Sequence, residues 1–133
     1  LAHNAPQEHD RILTALDAKR GDIYAAAYER QAKNVLQRTI NPAVCKPGEA
    51  AKWHKDRFVI LGDAIRLHRE ALTASGGEAA PEDLWQVRAE IIARMGGRMF
   101  KKGRIDDPLK LEPIYLRLPE AEEKRLARER GDT

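Results

Sequence analysis

Charged and nucleophilic side chains gather at few places along this chain of 133 residues, and the tightest gathering is Asp17, Lys19, Arg20 and Asp22 around Gly21. Four charges on one tight turn make a surface that can meet a partner protein or a neighbouring lobe. The same residues can instead neutralise one another, Asp17 pairing with Arg20, as charges on a solvated turn often do. Arg117, with Arg104 and the Lys101-Lys102 pair, has the chemistry of a basic edge for nucleic-acid phosphate. Lys101 and Lys102 equally suit the negative C-terminal end of a helix. Gly62-Asp63 stands where a strand turns into a helix, and free helix N–H groups there can hold an anion. An Asp at the cap, however, accepts from those donors itself and repels phosphate, so the sequence predicts a plain N-cap.

Catalytic chemistry finds little to work with. His3, His9, His54 and His68 form no HxxxH or HExxH pair that would set two imidazoles on one helix face for a metal. His3 and His9 fall in an aperiodic leader and are expected to be solvated, and His68 falls on the apolar side of a helix as a core or boundary residue. Cys45 lies between Val44 and Lys46 with no local acid–base partner, which fits a buried structural thiol. There is no GxxxxGK or GxGxxG stretch for phosphates. The sequence therefore assigns no catalytic, cofactor-binding or metal residue. Its candidate contact residues, toward a partner or between lobes, are Asp17, Lys19, Arg20, Asp22 and Arg117.

These residues need elements to hold them. Arg11 to Arg20 and Asp22 to Gln31 read as a β-hairpin: Ile23, Ala25 and Ala27 alternate with Tyr24, Ala26 and Tyr28, and Gly21 lets the turn pass through positive φ. Val35 to Val44, rich in β-branched residues but holding Pro42, predicts an edge or bulged strand. Pro47 and Glu49 open a short helix running to about His54. Phe58-Val59-Ile60-Leu61 predicts a buried strand that turns at Gly62-Asp63 into a helix with Ile65, Leu67, His68, Ala71 and Leu72 inward, stopped by Ser75-Gly76-Gly77. The longest predicted helix spans Pro81 to about Lys102, buried on two sides through Leu84, Val87, Ile91, Met95 and Met99, with Gly96 and Gly97 implying close packing. Leu111 to Leu118 reads as extended, with Tyr24, Tyr28 and Tyr115 packing on a sheet. Residues 1–10 read as a loose leader, a linker or the end of a preceding helix; 11–118 as one domain; and 119–133 as a charged tail that is a solvated helix or disordered.

Composition sets outer limits. A chain this long can bury a core without a disulfide or metal, and the lone cysteine excludes an internal disulfide and fits a reducing cytosol. With 42% hydrophobic and 34% charged residues and no apolar run near the roughly 18 residues of a membrane span, the chain reads as a cytoplasmic protein with no membrane partner. Leu1 in place of Met, without a signal-peptide layout, is expected to mark a fragment whose natural start has been removed. The net charge of +3 permits weak attraction to nucleic acid, but the opposite charges are interleaved.

The stretch LDAKRGDIYAAAYE at residues 16–29 resembles the hairpin that opens the second lobe of the TsaB (YeaZ-type) proteins, relatives of the M22 glycoprotease family. Leu111-Glu112-Pro113-Ile114-Tyr115-Leu116-Arg117 resembles that family's C-terminal signature, in the right order about 90 residues on. The resemblance covers nearly all of Ile12 to Glu123. It implies an α/β fold: one lobe of the actin-like, ribonuclease-H-like fold, a mixed sheet with a hairpin start and helices packed on it. The predicted element order meets that requirement independently. The resemblance further implies a non-catalytic scaffold for threonylcarbamoyl transfer to the adenosine beside the tRNA anticodon. Its implied partners are a catalytic TsaD-type homologue, an ATPase subunit, a second copy of itself, and tRNA indirectly or weakly. No cofactor is implied for this lobe. The family's metal-binding histidines belong to the first lobe of its catalytic member, which leaves an M22-type metallopeptidase or transferase open as an alternative, alongside a direct tRNA-binding module.

Overall fold

The computed structural model describes residues 1–32, 35–118 and 120–129. Five strands form one sheet in the order β3-β2-β1-β4-β5. β1 (Arg11–Asp17) and β2 (Ile23–Gln31) are the expected hairpin, paired antiparallel from Arg11↔Glu29 to Asp17↔Ile23. β3 (Val35–Cys45) continues the meander on the far edge, with register shifts near Ala25 and Ala27 that accommodate Pro42 and place the bulge where a missing N–H does least harm. α1 (Pro47–Ala50) is shorter than the predicted helix to His54, and it leads to β4 (Phe58–Leu61), which is buried at every position and pairs parallel with β1. The mixed sheet with helices packed on it is thus as the sequence implied.

Alternation along the strands separates two faces. Leu13, Ala15, Ile23 and Ala25 are buried on one; Thr14, Leu16, Tyr24, Ala26 and Tyr28 share the other. α2 (Ile65–Thr73) buries Ile65 and Leu72 and kinks at His68, whose φ of −129° leaves the helical region. The Ser75-Gly76-Gly77 stop conceals β5 (Gly77–Ala79), a strand the sequence did not announce. It pairs parallel with β4, and a Cβ on Gly77 would lie 2.7 Å from Ile60 Cδ1 and 2.8 Å from the Leu72 carbonyl oxygen, so glycine is there for close approach.

Two expectations fail for one shared reason. The leader is packed instead of loose: Ala2–Asn4 is a 3₁₀ turn, and Ala2, Asn4 and Ala5 are buried. The Asn4 side-chain amide donates to the carbonyls of Leu84 (2.8 Å) and Gln86 (2.7 Å), and the Trp85 indole donates to Ala80 (2.8 Å). With these carbonyls engaged, the long helix predicted from Pro81 breaks into a 3₁₀ turn, Glu82–Leu84, and α3 (Ala89–Lys101), entered through the extended Arg88. α3 buries only Ile91; Met95 and Met99 are 41% and 39% exposed, and nothing lies within 4 Å of a Cβ on Gly96 or Gly97. Its expected two-sided burial and glycine packing are absent among the described residues. Leu111 to Leu118 follows without strand pairing, and of the charged tail α4 (Glu120–Glu129) is helical while residues 119 and 130–133 lie outside the described residues.

Candidate functional site

The hairpin tip is built from the inside out. Ala18 N–H donates to Asp22 O at 3.0 Å, and Asp22 N–H donates to Lys19 O, closing a turn whose central Arg20 and Gly21 both have positive φ (57° and 76°), the sign pattern of a type I′ turn. Lys19 also has positive φ, at 63°. A left-handed lysine is uncommon and needs a local reason. Asp17 supplies it: its carboxylate accepts from Lys19 N–H (2.9 Å) and from Lys19 Nζ (2.7 Å). These bonds hold the Asp17 carboxyl below its ordinary range, and the same pair raises Lys19. Asp17 therefore pairs with Lys19 instead of the expected Arg20.

Asp63 is not the N-cap predicted for it. α2 begins after Ala64, without a side-chain cap, and Asp63 Oδ1 accepts from Asp17 N–H at 2.9 Å. Gly62, at φ 128°, makes that possible, because any Cβ there would fall 2.0 Å from Ala15 O. The carboxylate thus ties the β4–α2 corner to the end of β1.

Arg117 closes the arrangement from the other end of the chain. Its guanidinium donates to Ala18 O (2.7 Å) and pairs with Asp22, whose carboxylate also meets Lys46 Nζ at 2.5 Å. The Lys46 hydrogen bond, then the nearby charges of Lys46 and Arg117, keep Asp22 below the ordinary carboxylate range against a smaller opposing effect of burial. All five residues singled out in the sequence, Asp17, Lys19, Arg20, Asp22 and Arg117, are brought to this corner. Of the basic edge expected with Lys101, Lys102 and Arg104, Arg117 has its charge engaged at the hairpin. The signal for its partner was weak, since 95 residues separate it from Asp22.

The segment that Arg117 anchors, Ile114 to Leu116, roofs a groove of about 440 Å³ whose floor is Thr14, Leu16, Tyr24 and Tyr28. Tyr24 and Tyr28 sit on the sheet face as expected, whereas Tyr115 is 83% exposed and not on a strand. Cys45 is buried, which raises its thiol pKa and makes it a poor nucleophile. His54 is buried too, its Nε2 3.3 Å from Ile12 O and its ring 5.2 Å from Phe58, and desolvation lowers its pKa. His68 is half-buried, and its Nε2 has no hydrogen-bond partner among the described residues. Among those residues no group of three or more His, Cys, Asp or Glu is placed to hold a metal, and no helix is long and apolar enough to cross a membrane.

No protein-family model matches the chain. It is 26% identical over 110 residues to the tRNA threonylcarbamoyladenosine biosynthesis protein TsaB of Escherichia coli (strain K12), across 80% of this chain and 48% of that protein. The chain is similar to TsaB and YeaZ proteins. Solved structures of YeaZ from Pseudomonas aeruginosa (TM-score 0.64, 19% identity, 83% of this chain and 51% of that one) and of a Pseudomonas aeruginosa protein described as similar to peptidase YeaZ (TM-score 0.63, 19% identity, 84% and 51%) share its fold. The chain spans about half the length of these TsaB/YeaZ relatives.

Proposed function

We propose that this chain is the structural lobe of a non-catalytic scaffold protein that supports threonylcarbamoyl transfer to the adenosine next to the tRNA anticodon. The observation that carries the reading is the sequence match to TsaB over 110 residues, together with a shared fold. By the same likeness, the working partners are a catalytic TsaD-type homologue and an ATPase subunit, in the cytoplasm, with no cofactor held by this lobe. The corner built by Asp17, Asp22, Asp63 and Arg117 suits such a role. It joins the ends of β1, β4 and the C-terminal segment through charge-assisted hydrogen bonds, so the lobe can present one fixed outline to a partner.

The test is reconstitution of tRNA threonylcarbamoylation from the catalytic homologue, the ATPase subunit and the full-length protein, with the modified nucleoside quantified by mass spectrometry. Omitting the protein is expected to lower product formation at least tenfold. Modification at an undiminished rate without it rejects the scaffold reading. Turnover of ATP, peptide or tRNA by the protein alone, lost on mutating one of its residues, would establish an enzyme instead.

A further inference from the structure

A second cavity, of about 220 Å³, lies between the N-terminal segment and α3 and is lined by His3, Gln7, Arg30, Ile91, Arg94 and Arg98. Arg94 and Arg98 are four residues apart, hence on one face of α3. Neither makes a hydrogen bond or ion pair among the described residues, and no described Asp or Glu lines the cavity. Arg30 is fixed in place: its Nε donates to His9 O (3.2 Å), and its Nη2 to Ala5 O (3.2 Å) and Pro6 O (3.3 Å). Its Nη1 is left with no acceptor among the described residues. Three guanidiniums thus meet at one concavity without a counter-charge. Burial first, and with it the charges of Arg94, Arg98 and Arg30, lower the proton affinity of His3, as expected of an uncompensated positive field.

Guanidinium forks match phosphate oxygens in shape as well as charge. Three of them exceed what a single carboxylate requires. No Trp, Tyr or Phe lines the cavity, so it offers no stacking platform for a base. Lys101 continues the Arg94–Arg98 row one turn on, so the row covers about 10 Å of helix, and exposed Lys102 and Arg104 follow. A positive track leading out of a positive cavity suits a polyanion with regularly spaced phosphates.

We propose that this cavity and the α3 row beyond it bind phosphates of an RNA strand, with Arg94 and Arg98 as the main contacts and Arg30 as a preset third. This deepens the reading above, since the substrate there is a tRNA. The test is the affinity of the full chain for an unmodified tRNA transcript across a salt series. Arg94→Gln/Arg98→Gln keeps good helix formers on an exposed face, so the fold should survive, as far-UV circular dichroism will report. The double variant is expected to lose at least tenfold in affinity at low salt, and its log–log salt slope to flatten by roughly 1.5–2. Lys52→Gln/Arg69→Gln removes two exposed charges away from the cavity and is expected to change affinity less than threefold. Equal losses in the two double variants, an unchanged slope, or no tRNA binding by the wild type would overturn the site. Inorganic phosphate provides a second readout that needs only the wild-type fold: it should raise the His3 pKa in an NMR titration, and an unmoved His3 counts against the proposal. Neither readout involves modification, so the two readings fail separately: tRNA binding through the arginines without any effect on reconstituted modification keeps the site and rejects the scaffold.

Discussion

Gly62→Ala is expected to destabilise this protein severely, and the size of the effect follows from two separate costs. Gly62 has φ 128°, a region that L side chains rarely occupy, at about 1–3 kcal/mol for a residue forced to stay there. Its new Cβ would also lie 2.0 Å from Ala15 O and 2.8 Å from Ala15 C, both backbone atoms of a central strand that is paired on both sides. Such overlap is relieved only by moving β1 or the β4–α2 corner, adding about 1–3 kcal/mol. The sum, about 2–6 kcal/mol, is a large part of the roughly 7–20 kcal/mol expected for a domain of this length. It corresponds to a fall in Tm on the order of 6–30 °C. Gly21→Ala is the internal control: its φ is 76°, but nothing lies within 4 Å of the added Cβ, so about 1 kcal/mol is expected. Urea unfolding followed by circular dichroism and by tryptophan fluorescence measures both. Midpoints for the two variants that coincide would refute the close-approach argument, because only the backbone conformation would then matter.

Asn4→Ala should cost about 1–3 kcal/mol in the same melts and expose Trp85 to solvent, seen as a red-shifted emission, since the Leu84 and Gln86 carbonyls lose their donor. Arg117→Gln should raise amide exchange across residues 112–118 severalfold while leaving Phe58–Leu61 protected. Because the folded Asp22 pKa is depressed, its ion pairs are present at neutral pH and are lost as pH falls below the ordinary Asp range, so the wild type should reach the variant's exchange level, corrected for intrinsic rates, only in that acid window. For His54 the folded pKa is lowered by burial: above about 6.5 both states are neutral and no pH effect is expected, while below it the unfolded chain takes up the proton first and stability declines. His54→Gln should flatten part of that decline between pH 6.5 and 5, and an unchanged pH profile would show that His54 protonates freely in the folded state.

Local pattern was enough for the hairpin and for Phe58–Leu61. Period-two alternation and a turn glycine act over a few residues, and a four-residue apolar run has few places to go but the centre of a sheet. Bringing Asp17, Lys19, Arg20 and Asp22 together needed only the turn, but their pairing did not follow from it. Asp63 left its helix cap because the end of β1 lay beside it with an open N–H, and Arg117 found Asp22 across 95 residues. The apolar stripe from Leu84 to Met99 read as one long buried helix because periodicity reports which residues share a face, not what that face meets. Asn4, some 80 residues upstream, took the carbonyls that would have continued the helix, and beyond Ile91 no described element covers the stripe. The cavity of Arg30, Arg94 and Arg98 was invisible for a related reason. Its charges come from a strand end and a helix that are distant in sequence, and no described Asp or Glu lines it. Sequence spacing sets which charges are neighbours along the chain, whereas only the packing of distant segments sets which are left without a counter-charge.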